Sequence, residues 1–243
     1  MKLFALSDLH LSLSAPHLPG GADEPCLYKP MEKFGQLWAD YFRRLEDSWR
    51  DMVAPEDAVL IAGDISWGLT LDDARFDLDY IDALPGQKIL VKGNHDYWWQ
   101  SLSRVREAAG SSLLFLQHSA FGVGPWAVCG TRGWLLPSHA DFKQEEDGRL
   151  LHRELLRLEM ALEEAAALER PIIVMLHYPP LDDPKQDSPF TELIGRYPAV
   201  TDCVYGHIHG DKAPAFEGVY RGVRYQNCSI DRLDFTPRLI AEE

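Results

Sequence analysis

With 243 residues and 46% hydrophobic side chains, the chain can bury a sizeable core and fold on its own. Its formal net charge of −14 argues against broad binding to nucleic acid, which depends on Lys and Arg displacing the counterions condensed on phosphates, and no Lys/Arg-rich run offsets it. Cys26, Cys129, Cys203 and Cys228 form no CxxC pair and are thinly spread, which favours reduced thiols acting as small buried hydrophobes over a disulfide framework.

The opening MKLFALSDLH carries one Lys and a short apolar run, so residues 3–6 read as a first strand rather than a signal peptide. Residues 11–56 follow, too long for a simple connection. They hold a Pro/Gly-rich loop and an amphipathic region around Phe34, Leu37, Trp38, Tyr41, Leu45 and Trp49. An active-site wall and a helix covering the core both fit that stretch. Apolar, strand-sized runs then recur at 59–62, 89–91, 113–116, 127–129, 172–176 and 203–205. Helical spacing fills 69–84, 99–109 and a long stretch ending before Pro171, in which Leu151, Leu155, Leu158 and Leu162 form one apolar stripe. Its acidic run Glu145, Glu146 and Asp147 suits a first helical turn better than a metal site. The alternation predicts α/β architecture in one domain, 1–243, with no linker. No segment is long and apolar enough for a membrane span, and a cytoplasmic protein is expected.

Polar residues appear where the apolar runs stop. LFALSDLH ends in Asp8 and His10, VLIAGD in Asp64, and ILVKGNHD in Asn94, His95 and Asp96. IIVMLH ends in His177, and CVYGHIH in His207 and His209. In an open α/β sheet, ligands bind beyond the carboxyl ends of strands, so residues this far apart can converge. Taken alone, each His reads more simply as a buried ring with one hydrogen-bond partner. Five of them at strand ends, with glycines allowing close backbone approach, reverse that reading.

The series DLH, GDISW, GNHD, the strand-end His177 and GHIH resembles the calcineurin-like metallophosphoesterase superfamily, in the family's motif order, and within it a bacterial group of predicted phosphohydrolases carrying GDISWG and GNHDYWW. The resemblance implies a four-layer α-β-β-α sandwich with two mixed sheets flanked by helices. It implies two metal ions, Mn, Fe or Zn. Asp8, His10 and His209 hold the first, Asn94, His177 and His207 the second, and Asp64 bridges them beside a bridging hydroxide. A donor set of nitrogen and oxygen only agrees with those metals and disfavours a thiolate-rich zinc site. Two carboxylates facing two divalent ions leave a charge of about +2, which lets an acidic protein attract an anionic substrate.

The expected reaction is hydrolysis of a small-molecule phosphomonoester or phosphodiester, with the ions activating water and clamping the phosphoryl oxygens. His95 is the candidate for protonating the leaving oxygen, and Asp96 for orienting its ring. Asn94, His95 and Arg132 are candidate substrate contacts, Arg132 through its forked donors. Tyr97, Trp98, Trp99 and Trp67 fit either an aromatic wall or core packing. His17, His118, His139 and His152 match no ligand motif. GDISWG lacks the further acidic residue of the protein-phosphatase branch, which weakens a Ser/Thr phosphatase assignment. Two rivals share the motifs: a nuclease-type phosphodiesterase, which needs a basic track this composition lacks, and a non-catalytic metal-binding scaffold.

Overall fold

The computed structural model describes residues 1–21, 23–183, 186–210 and 213–243. The strands are β1 (Lys2–Leu6), β2 (Ala58–Ile61), β3 (Gln87–Val91), β4 (Leu113–Leu116), β5 (Ala120–Val123), β6 (Trp126–Thr131), β7 (Ile172–Leu176), β8 (Val200–Tyr205), β9 (Gly218–Tyr220), β10 (Val223–Asn227) and β11 (Arg238–Glu242). The helices are α1 (Tyr41–Met52), α2 (Arg75–Ala83), α3 (Leu102–Ala108), α4 (Gln144–Ala166) and α5 (Pro189–Ile194).

One sheet runs β11-β1-β2-β3-β4 and the other β5-β6-β7-β8-β10-β9. Both are mixed: the inner strands pair in parallel, while β11, β5 and β9 add antiparallel edges. β1, β2 and β7 are apolar without alternation because both faces are covered. AVLI of β2 and IIVML of β7 are buried at every residue. Leu3, Leu60, Ile89, Val128, Ile173, Met175 and Val204 meet between the sheets. The outer face of the first sheet packs against α1, α2 and α3 through Tyr41, Leu45, Trp49, Leu78, Ile81 and Val105. Leu158, Leu162, Phe190 and Ile194 of α4 and α5 cover the outer face of the second. This is the expected four-layer α-β-β-α sandwich.

The boundaries move where local chemistry intervenes. The helix expected from residue 69 starts at Arg75, because Thr70 and Asp73 close a turn with reciprocal bonds of 2.9 and 3.2 Å between side chain and backbone. The one expected from 99 starts after Ser101, whose hydroxyl caps it by accepting from Arg104 N. Segment 11–56 divides into a helix and two short turns. Helix α1 covers the core, and two short 3-10 helices, Met31–Phe34 and Gln36–Trp38, pass beside the carboxyl ends of the strands. The acidic run opens the first turn of α4. Cys129, Cys203 and Cys228 are buried and free, but Cys26, expected to be buried, is exposed on the loop. Among the described residues, no helix is long and apolar enough to cross a membrane.

Candidate metal centre

At the carboxyl ends of β1, β2 and β8 the backbone enters the left-handed region at non-glycine residues: φ is 60° at Asp8, 47° at His10, 52° at Asp64 and 72° at His207. Such conformations cost about 1 kcal/mol or more each and persist only where the surroundings over-determine them. Here Asp8 N donates to Gly63 O at 2.9 Å and His10 N to Asp64 O at 3.0 Å, which stitches DLH against GD. Two glycines let these turns meet. A Cβ on Gly93 would collide with the Asp64 backbone N and carboxylate, and one on Gly206 with Ser7 Oγ and the Asp8 carboxylate.

The turns bring all seven expected ligands together. Asp8 Oδ1 lies 3.4 Å from His209 Nε2, and His209 Nε2 lies 3.4 Å from His10 Nε2. Asp64 Oδ2 is 3.9 Å from His10 Nε2 on one side and 3.6 Å from His177 Nε2 on the other. Asn94 Oδ1 sits 2.7 Å from His177 Nε2 and 2.9 Å from His207 Nδ1. Each carboxylate keeps one oxygen for the protein: Asp8 Oδ2 accepts from Ser7 Oγ and from His207 N at 3.0 Å, and Asp64 Oδ1 accepts from His95 N at 2.7 Å. The other oxygen of each faces the cluster. Asp8 Oδ1 is buried there, with the His209 ring as its partner at 3.4 Å.

The ring environments decide what the cluster accommodates. His177 Nδ1 is 2.9 Å from Ala62 O, an acceptor, so Nδ1 carries the proton in the neutral ring and the Nε2 lone pair points at Asn94 Oδ1 and Asp64 Oδ2. His209 Nδ1 is likewise held by Asp231 Oδ1 at 3.2 Å, which aims Nε2 inward. Lone pairs facing lone pairs in a buried site are costly unless a proton or a cation lies between them, and nitrogen and oxygen donors converging in this way are a set that a cation takes up. The residues present therefore fit a metal pair, with Asp64 Oδ2 central to both halves.

Protonation follows the same geometry. Burial pulls His10 and His207 down to about 3, so both are neutral donors near pH 7. Burial pushes Asp64 up to about 7. Asp8 is also buried, yet the His209 hydrogen bond and the field of His177 and His10 hold its carboxyl well below the usual range. Burial opposes charge on His209, but its bonds to Asp231 and Asp8 push it up to about 10.

Asp231 has no counterpart among the expected residues. It comes from the short 3-10 helix Ile230–Leu233 beyond β10, and its other oxygen accepts from Gly210 N at 2.8 Å. A carboxylate behind a ligand imidazole fixes its tautomer and raises its basicity. Asp96 is not placed as expected. Both its oxygens are occupied by backbone N–H groups of Gly93, Asp64, Ile65 and Ser66 at 2.7 to 3.2 Å and by the Trp98 indole at 2.9 Å. It bonds the GD and GNHD turns together and makes no hydrogen bond to the His95 ring.

His95 stands at the mouth of the cluster, its ring centroid 5.7 Å from that of His10 and 4.8 Å from that of Trp67, and burial lowers its pKa. Arg132 follows β6, and its carbonyl accepts from the backbone N of His177 and of Tyr178 at 3.0 Å. Its guanidinium lies 4.3 Å over the Trp134 ring and makes no ion pair among the described residues. It lines a cavity of about 220 Å³ with Lys92, Arg153 and Arg157, while the buried Glu154 is engaged by Thr131, Arg153 and Arg157. Of the four aromatics weighed for a wall, Trp98 and Trp99 are core residues and Tyr97 is exposed. Trp67 does line the site, stacked on His10 at 4.6 Å.

The sequence profile described as calcineurin-like phosphoesterase matches residues 1–211. The chain belongs to this family. As a calcineurin-like phosphoesterase it is a hydrolase, and the matched residues include the strand-end cluster. Among curated proteins none matches it. Among solved structures, the phosphopantetheinyl hydrolase of Mycobacterium tuberculosis is similar at 18% identity and a TM-score of 0.50, covering 100% of this chain and 96% of that one. A protein of unknown function from Aquifex aeolicus is similar at 14% identity and a TM-score of 0.48, over 98% and 95% of the two chains. At such identities the likeness concerns the fold alone.

Proposed function

We propose that this phosphoesterase is a dinuclear metal-dependent phosphohydrolase of small-molecule phosphoesters. In this reading Asp8, His10 and His209 hold one ion, Asn94, His177 and His207 the other, and Asp64 Oδ2 lies between them. The observation that carries it is the inward convergence of carboxylate, amide and imidazole groups around Asp64, with Asp8 Oδ1 and His209 Nε2 facing each other at 3.4 Å. Donors of this kind suit Mn, Fe or Zn. Bound there, two cations supply Lewis acidity toward the phosphoryl group and acidify a water molecule.

The protein's own groups do the rest. Asp231 and Ala62 O hold the His209 and His177 rings so that Nε2 of each faces the cluster. Asp96 fixes the two turns from which Asp64 and His95 project. His95 is the group at the mouth able to donate to the leaving oxygen, since even the neutral imidazole retains one N–H. Arg132, without an ion pair among the described residues and beside His177, is the candidate to grip a further anionic oxygen of the substrate.

The test is a panel of phosphomonoesters, phosphodiesters and nucleotides with Mn²⁺, run with Asp64→Ala protein as control; the phosphopantetheinyl ester suggested by the Mycobacterium tuberculosis neighbour belongs in it. Turnover by the native chain and none by the variant supports the reading. Equal metal-dependent turnover in both contradicts it, and shortening of nucleic acid strands would move the substrate class to a nuclease's.

A further inference from the structure

The cluster opens on one side into a cavity of about 450 Å³ whose wall includes His10, His95 and His209. The remainder is mostly apolar: Met31, Phe34, Leu37 and Trp38 from the two short 3-10 helices, and Trp67 from GDISWG. Met31 and Trp38 are buried and anchor this stretch, with Trp38 packed edge-on against Tyr41 and Phe235 at 5.7 and 5.3 Å. Phe34 and Leu37, by contrast, are 59% and 46% exposed, large apolar side chains held in water at the rim of a cluster of charged and polar groups. Gly35 joins the two turns at φ 134°, a conformation that side chains rarely adopt.

We propose that Phe34, Leu37 and Trp67 form an apolar subsite that receives the organic group of the phosphoester, so that substrates carry a ring or short aliphatic group on the phosphorus-bound oxygen. The inference rests on the phosphoesterase reading above and names its substrate class.

Because ligand rings and His95 form part of this cavity's own wall, a phosphoryl group at the cluster directs its substituent along the cavity. Polar groups of the wall are already engaged: the Trp67 indole N–H donates to Met31 Sδ at 3.3 Å, Asp231 is held by His209 and Gly210 N, and the Lys29 ammonium beside the wall lies over the Trp67 ring at 3.0 Å. A sugar or glycerol substituent would lose water there for few hydrogen bonds, whereas a ring or alkyl chain gains by leaving it. The volume suits a group of that size. The basic cavity around Arg132 is lined instead by Lys92, Arg153 and Arg157, so the two sides of the centre differ in what they accept.

The test compares phenylphosphonate with methylphosphonate, two non-hydrolysable probes, by calorimetric titration of the Mn²⁺-loaded protein. The native chain should bind the phenyl compound roughly tenfold more tightly, a gain in line with burying one ring. Phe34→Ala/Leu37→Ala should bring that preference within about twofold while leaving methylphosphonate affinity and metal content unchanged; both side chains are exposed, so the fold tolerates their loss. The single variants Phe34→Ala and Leu37→Ala should each show part of the effect. No preference in the native chain, a preference retained in the double variant, or binding of neither probe overturns the subsite. Failure of the parent reading looks different: the native chain would keep the phenyl preference yet cleave neither phenyl phosphate nor a phenyl phosphodiester.

Discussion

The two ends of β3 both bury charge, and they do so in opposite ways. At its amino end Lys88 is wholly buried, and its ammonium donates to Asp82 O at 3.0 Å, Leu84 O at 2.6 Å and Gly86 O at 2.9 Å. All three donors are used, and the carbonyls they satisfy lie at the end of α2 and in the turn that follows it. At its carboxyl end, Asn94 joins two carboxylates and four imidazoles whose free lone pairs face each other. A buried charge that the protein satisfies by itself is architecture, whereas a cluster of acceptors left facing inward asks for something from outside.

Substitutions at each end should separate these roles. The largest effect is expected from Asp64→Ala, which removes the atom between the two halves: both ions should be lost and turnover should fall by more than about 10³-fold, read by metal analysis and kinetics. Loss of His95 should spare the ions. His95→Ala is expected to keep its metal content and lower kcat by about 10² to 10⁴-fold, the usual range for one proton-transfer group. Asp231→Asn weakens the support behind His209 and should cost about 10 to 100-fold in metal affinity, measured by competition with a chelator. At the other end of β3, Lys88→Met should leave kcat untouched and destabilise the fold by about 1 to 3 kcal/mol in denaturant unfolding, because three carbonyls lose their donor.

The smallest effect is a pH dependence. Burial lowers Lys88 to about 8 from 10.5, so between these values the unfolded chain binds the proton and the native one does not. The contribution is fully present above pH 10.5 and is lost as pH falls through 8. Relative to Lys88→Met, the native chain should therefore gain stability between pH 7 and pH 10, and a gain in the opposite direction would place the lysine charge in a more favourable setting than its burial implies.

How much was legible in the sequence differs between residues. Strand ends were visible because apolar runs stop abruptly at Asp8, Asp64, Asn94, His177 and His207, and a strand buried on both faces has no other way to look. The strands near the sheet margins were less visible: β10, next to the edge strand β9, alternates buried Val223, Tyr225 and Asn227 with more polar positions, and β11 is a partly exposed edge. Asp231 follows that unrecognised strand, so no local pattern tied it to His209. Asp96 neighbours His95 in sequence, which suggested a pairing, but its oxygens are taken by N–H groups that only the folded turns present. Of the four aromatics that fitted a wall or the core, Trp98 and Trp99 fill the core and Trp67 lines the site, while Phe34 and Leu37 reach it from two short 3-10 helices whose course depends on tertiary packing.

The central claim is that one oxygen of Asp64 stands between two cations. Anomalous diffraction from crystals of the Mn²⁺-loaded chain addresses it directly. Two peaks roughly 3.5 to 4 Å apart, one on each side of Asp64 Oδ2 and bounded by His10 and His209 on one side and His177 and His207 on the other, are the expected result. A single ion away from Asp64, or a cluster that takes up no manganese, would contradict the account.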